Sequence, residues 1–404
     1  MREVYRSSAC NISASDAKDG SQGLFRSRDS LVNGSKRLRL KLGHEPYDDL
    51  YPVWDTAAWS DNVERCPLNS RGWVCQERFL SSSNLHFASG ELFWECRELT
   101  ACETFPRGFP QRLIEDDDDT SIKKLLYENV ENRESEVVEQ NRTWNTLLRN
   151  YTASKVTFAR DKLVAFSGLA AMWGENINDE YFAGLWKSRL PRDLLWHTLH
   201  PRTDYEHQEY VAPSWSWASM DGEVVFEDPA RAFVVEVDII RANTELLSVV
   251  NQFGQVNYGF LCLRSWLAIG YYDTEIQDGF SLQTSDSSFE KVSNNLEVLW
   301  DRPRGRRMYW GNLSDSHQIR VPIYFFSICT WFGFGRERGT QGLVLRHAES
   351  NSVGFVRLGM FHAYAEGIEM VSQACRYFNT LPESTKLDRS KDGNGRAKYT
   401  IILV

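Results

Sequence analysis

The hydrophobic pattern changes period near Tyr210, and that change constrains the fold more than any other feature. Upstream, Trp144, Leu147, Leu148 and Tyr151 recur at three- and four-residue spacing, which predicts the buried stripe of an amphipathic helix. Asp161 stands as an N-cap for a helix over Lys162–Trp173, with Gly174 as its stop. Further helices are expected over Asp179–Ser188 and, after Pro191, over Arg192–Leu199. Beyond Tyr210 the period becomes two. Short runs at Ala232–Ile240, Tyr258–Leu267, Val321–Phe325, Gly342–Arg346, Val353–Met360 and Tyr399–Val404 predict strands of a barrel or sandwich with insertions.

The first hundred residues follow neither pattern for long. Ser13–Gly23 is a loop of turn formers, and Arg37–Leu42 alternates basic residues with leucine as a half-exposed strand does. Leu85–Phe87 and Leu92–Cys96 flank Ala88–Glu91, which predicts a β-hairpin. Pro106, Gly108 and Pro110, then Glu115 and four aspartates, form a linker that cannot sit in a core. The acids are consecutive, whereas a calcium loop spaces its ligands at alternate positions. The expected class is α+β, in four segments: 1–105, an acidic linker at 106–120, a helical region at 121–209 and a β-rich region at 210–404.

Charge and cysteine content narrow the function classes. A net charge of −9 argues against a nucleic-acid binder, which needs a basic face to meet phosphates. Arg26–Lys41 is locally basic against Asp29 alone, as a solvated strand edge would be. The 14 tryptophans predict a core with many indoles pinned by one hydrogen bond. Eight cysteines without a CxxC spacing read as reduced thiols, and the start of the chain has no export-type apolar run. The sequons at Asn11, Asn33, Asn141, Asn150 and Asn312 are then chance matches. The richest apolar stretch, Val321–Phe334, is broken by Pro322, Ser327 and Gly333, so no membrane span is expected and the cytoplasm is the default location.

Several residue groups invite chemical readings. Trp215 and Trp217 alternate as strand residues on one face, suited to core packing or to a stacking platform. His197, His200 and His207 lack the acid or cysteine that would complete a metal site, so no metal is assigned. Gly333, Gly335 and Gly339 are spaced one residue too long for a dinucleotide fingerprint. Neither a Gly-x-Ser-x-Gly elbow nor a P-loop is present.

Two segments carry a more specific signal. Leu68–Cys96, LNSRGWVCQERFLSSSNLHFASGELFWEC, resembles the run that closes a fungal heterokaryon-incompatibility (HET) domain. Arg71, Gly72, Trp73, Gln76, Glu77, Arg78, His86, Phe87, Phe93, Trp94, Glu95 and Cys96 stand at the positions of that pattern. Met1–Asp29 resembles the family's mid-domain stretch. Asp161–Ala170, Tyr181–Trp196 and Ala212–Val224 are similar to blocks that follow the domain. The family's Leu-Ser-Tyr/His-x-Trp-Gly and Trp-Ile-Asp-Ser-x-Cys-Ile motifs do not occur. The resemblance therefore implies that residues 1–105 are the C-terminal half of a HET domain, a partial TIR-like α/β segment with exposed sheet edges.

Some TIR domains cleave NAD with a glutamate, and Glu77 is the acid that the resemblance offers for this role, with Trp73 stacking on the base. The alternative is structural: Arg71, Glu77 and Arg78 form a buried ion-pair network at the turn of Gly72. The function implied is self/non-self recognition through a protein partner, ending in cell death. A NAD glycohydrolase using Glu77, with NAD as the substrate of a fuller form, and an inactive product are the alternatives. No cofactor is assigned.

Overall fold

The computed structural model describes residues 2–25, 27, 36–39, 50–53, 55–110, 122–126, 134–199, 210–273, 280–284, 289–291, 295–301, 320–332, 338–348, 354–378, 387–391 and 397–404. The fold is α+β, with helices preceding a large β-sheet. The chain divides into two compact units: residues 1–157 with 168–176, and residues 158–167 with 177–404. The acids Glu115–Asp119, most of Arg26–Lys41, His200, His207, and Gly333 and Gly335 lie outside the described residues. Among the described residues no helix is long and apolar enough to cross a membrane.

The first unit is built on a four-stranded sheet in the order Asn11–Ser13, Ser83–Phe87, Leu92–Cys96, Thr100–Cys102. The first pair is parallel and the other two are antiparallel. The central hairpin is the one that alternation around Ala88–Glu91 predicts. Ile12, on the outer strand, is exposed. A second ladder pairs Lys36–Arg39 with Leu50–Val53.

The predicted stripe of Trp144, Leu147, Leu148 and Tyr151 is buried along the Glu134–Ala153 helix, with Trp144 packed at 5.2 Å against Trp173. Residues 168–176 belong to this unit, and residues 158–167 and 177–209 to the other. The boundary expected at 105 also moves. Phe105 and Phe109 pack with Trp59 and Phe93, so the start of the proline-glycine stretch stays in the first core.

In the second unit a twelve-stranded sheet follows the path Asp238–Leu246, Val256–Ser265, Ala397–Leu403, Phe355–Tyr364, Arg338–His347, Arg320–Phe332, Leu267–Asp273, Phe280–Gln283, Phe289–Lys291. Phe233–Val235, Leu296–Trp300 and Asp388–Lys391 pair alongside it. The end strands of this path do not pair with each other among the described residues. The Glu366–Phe378 helix, unanticipated from the sequence, seals a core of Ala268, Leu282, Phe325, Val344 and Phe361 with Val371, Ala374 and Cys375.

Three local expectations are corrected. The Lys162 helix runs on through Gly174 to Ile177, and Asn178 (φ 47°), not the glycine, takes the left-handed conformation that ends it. Residues 179–188 form a small hairpin, Tyr181–Phe182 with Leu185–Trp186, in place of a helix. Its two linking residues, Ala183 (φ 43°) and Gly184 (φ 105°), both have positive φ, which two-residue hairpin turns require. After Pro191 the helix is only Leu190–Asp193, and His197–Thr198 leaves it as a strand paired with Val224–Val225.

Candidate functional site

The Gly72–Leu80 helix carries most of the HET-like residues, and it starts where backbone meets backbone. Gly72 N donates to Lys155 O at 2.7 Å, and a Cβ on Gly72 would stand 2.6 Å from the Val156 side chain. Only glycine permits that approach without a shift. One turn on, Gln76 is buried and its Oε1 accepts from Gly168 N at 2.8 Å. A Cβ on Gly168 would collide with that same Gln76 oxygen. The helix thus turns Val74, Gln76 and Arg78 inward, while Arg71 stays exposed and Trp73, Cys75 and Glu77 are half-buried.

Arg78 meets Glu95 inside the sheet. Its Nε donates to Glu95 Oε2 at 3.1 Å and its Nη2 to Oε1 at 2.9 Å, a bidentate pair. Glu95 faces inward because Phe93 and Glu95 share one face of their strand, and its cross-strand partner is Asn84. Asn84 Nδ2 donates to Glu95 Oε2 and to Arg78 O, both at 2.9 Å. His86 Nε2 lies 3.4 Å from the same carboxylate oxygen, and its Nδ1 lies 3.3 Å from Ser15 Oγ. An ionised carboxylate only accepts, so the neutral imidazole carries its proton on Nε2 and takes the Ser15 hydroxyl hydrogen on Nδ1. Lys123, from the short helix Ile122–Leu125, donates to Arg78 O at 2.7 Å and Ser81 O at 2.8 Å, with Glu95 Oε2 at 3.9 Å.

The electrostatics follow from this packing. Burial alone would raise the Glu95 carboxyl, but Arg78, Lys123 and the His86 hydrogen bond together hold it well below the usual carboxylate range. Burial lowers His86, against the opposing pull of Glu95. Burial also lowers the Lys123 ammonium, to about 8, with Glu95 again opposing. Glu95 is therefore ionised, His86 neutral and Arg78 charged at neutral pH, with every carboxylate oxygen engaged.

The expected network of Arg71, Glu77 and Arg78 does not form. Arg78 turns inward to Glu95, Arg71 is exposed and bridges to Lys155 through its backbone, and Glu77 faces Tyr5. Adjacent helix positions point about 100° apart, so Glu77 and Arg78 cannot share a buried partner. Tyr5 responds to burial first and then to Glu77, which together push its hydroxyl up to about 12. Phe87 packs edge-on against Phe25 at 5.7 Å, and Trp94 and Cys96 lie half-buried on the other face of their strand from Glu95. Asn84, Lys123 and Ser15 complete the cluster and were not anticipated. Asn84 shares the period-two face of His86, the one signal that would have found it; Lys123 has none.

The other candidates lie in the second unit. Trp215 and Trp217 are buried, but on a turn and a short 3-10 helix over Trp217–Ser219 instead of a strand. Ser216 caps that turn by accepting from Ala218 N. Trp217 Nε1 donates to Gly184 O and Trp196 Nε1 to Trp215 O, both at 2.9 Å, whereas the buried Trp215 Nε1 has no hydrogen-bond partner among the described residues, so the expected pinning of indoles holds only in part. His197 lies on a strand, so it has no helix face on which to pair with position 200. Among the described residues no group of three or more His, Cys, Asp and Glu side chains is arranged to hold a metal ion. No protein-family model, curated protein or solved structure matches the chain.

Proposed function

We propose that this chain is a recognition protein of the heterokaryon-incompatibility class that acts by binding a protein partner, with its HET-like motif serving as an internal brace. The resemblance of Leu68–Cys96 supports the class. The observation that carries the brace reading is the closure around Glu95: both of its oxygens are taken by Arg78, and one of them also by Asn84 and His86. A carboxylate buried this completely and paired with a guanidinium through both oxygens is not open to a cationic sugar centre. Glu77 is half-buried beside Tyr5, whose hydroxyl it helps to keep protonated.

The same proposal carries a cytoplasmic location, supported by eight cysteines that form no disulfide. A net charge of −9 favours a protein partner over nucleic acid. The test is expression of the full chain and its Glu77→Gln variant in a filamentous fungus, with NAD content and growth followed together. Growth arrest of equal strength in both, without NAD loss ahead of it, is the expected result. Arrest and NAD loss that disappear together in Glu77→Gln at unchanged protein level would overturn the proposal in favour of a glycohydrolase.

A further inference from the structure

The pocket that Lys123 fills is built for an ammonium group. Two of its walls are the Arg78 and Ser81 carbonyls at the C-terminal end of the Gly72–Leu80 helix, where carbonyls lack intrahelical partners and carry the negative end of the helix dipole. The third is the fully buried Glu95 carboxylate. Charge balance does not explain the lysine, because Arg78 already pairs with Glu95 through two hydrogen bonds. With Lys123 charged and His86 neutral, the cluster holds one positive charge in excess.

Directed acceptors therefore position the cation, with the Glu95 carboxylate as the charge it faces. Two N–H groups of Lys123 are used by carbonyls, and the third faces Glu95 across 3.9 Å, longer than a hydrogen bond. The side chain reaches this position from a short helix pinned by buried Ile122 and Leu126, the latter with its carbonyl bonded to Asn176 Nδ2 at 3.3 Å. A free ammonium head would not be tethered at that distance and would close on the carboxylate.

We propose that this pocket is a primary-ammonium binding site whose resident ligand is Lys123 of the chain itself, and that it accepts a small alkylammonium ion when that side chain is removed. Three N–H donors on one nitrogen match two carbonyls and a carboxylate; a quaternary ammonium offers none, and the planar fork of an arginine has the wrong shape.

The experiment uses the full chain with Lys123→Ala and follows thermal unfolding. Addition of about 50 mM ethylammonium chloride is expected to recover about half of the lost Tm, while tetramethylammonium chloride at equal ionic strength recovers none. The recovery is expected to vanish in Lys123→Ala/Glu95→Gln. Equal recovery by both salts, or recovery that survives Glu95→Gln, would overturn the site. If Lys123→Ala does not fold alone, the same salts are compared for the yield of folded protein, and no selective gain from ethylammonium counts against the proposal. Lys123→Met keeps the length without the charge: it is expected to unfold at a lower temperature than wild type and to ignore both salts. Wild-type stability in Lys123→Met would show that the pocket does not select an ammonium.

Discussion

In each unit of the molecule a bidentate arginine–carboxylate pair is buried, and the two pairs are stabilised in different ways. In the first unit Arg78 and Glu95 are joined by Lys123 and His86, so the neighbours of the pair are themselves ionisable. In the second, Arg357 Nε donates to Asp301 Oδ2 at 2.7 Å and Nη2 to Oδ1 at 3.0 Å. The remaining donors of Arg357 go to the backbone oxygens of Leu194 and Trp196, and its guanidinium stacks 3.7 Å over the Trp196 ring. Burying a charge is tolerated only when each donor and lone pair finds a partner. The first pair meets that demand with other charges, and the second with backbone and an indole. The first should therefore respond to charge and protons, the second to geometry.

The largest expected effect tests that distinction directly. Glu95→Gln leaves Arg78 and Lys123 buried without a counter-charge, which should cost about 3–5 kcal/mol. Hydrogen exchange should show the loss in the Ser83–Phe87 and Leu92–Cys96 strands, with Phe355–Tyr364 keeping its protection. Equal loss in both places would break the comparison. Next in size is Arg357→Met, which strands Asp301 and two carbonyls and should cost about 3 kcal/mol. Adding Asp301→Leu should win back about 1 kcal/mol of this, because no buried charge then remains. The matching double change Arg78→Met/Glu95→Leu should win back nothing relative to Arg78→Met, because Lys123 stays buried and loses the carboxylate it faces. Urea midpoints of the four variants measure both differences.

How much of this was legible in the sequence depended on whether a signal was local. The Trp144–Tyr151 stripe and the Leu85–Cys96 hairpin were read correctly because each is a repeat over a few residues. Arg78, His86 and Glu95 were singled out as family positions, but their mutual contact was not, since it joins a helix to two strands across turns that no periodicity describes. Lys123 was invisible: a lysine beside an acidic run looks solvated, and only the carbonyls of a distant helix end make it buried. Residues 179–188 misled because their apolar spacing suits a helix, whereas Ala183 takes a positive φ that alanine rarely adopts. Trp215 and Trp217 misled in the opposite way, their alternation arising from a turn capped by Ser216.

The smallest expected effect concerns protons, and it sharpens the comparison at a single residue. Burial lowers His86, so the folded chain binds fewer protons there than the unfolded chain, whose histidine titrates near about 6.5. Stability of the first unit should then fall as pH drops from about 6.5 toward the lowered folded value, by at most about 1.4 kcal/mol per pH unit. Glu95 adds a separate loss at lower pH. Its folded value is depressed, so its contribution is complete above the unfolded value near about 4.3 and disappears as pH falls through the folded one. His86→Gln keeps a donor for Glu95 but cannot take up a proton, so it should flatten only the upper window. Exchange protection of Ser83–Phe87 at pH 7.5, 6.5 and 5.5, within about 0.3 kcal/mol, resolves the slope from the cost of the substitution itself. The second unit has its own histidines, half-buried His197 and buried His362, both lowered by burial, and its slope should not change in this variant. A wild-type slope retained by His86→Gln in Ser83–Phe87 would mean that the charge sensitivity of the first brace does not pass through His86, leaving Glu95 and Lys123 as its titrating members.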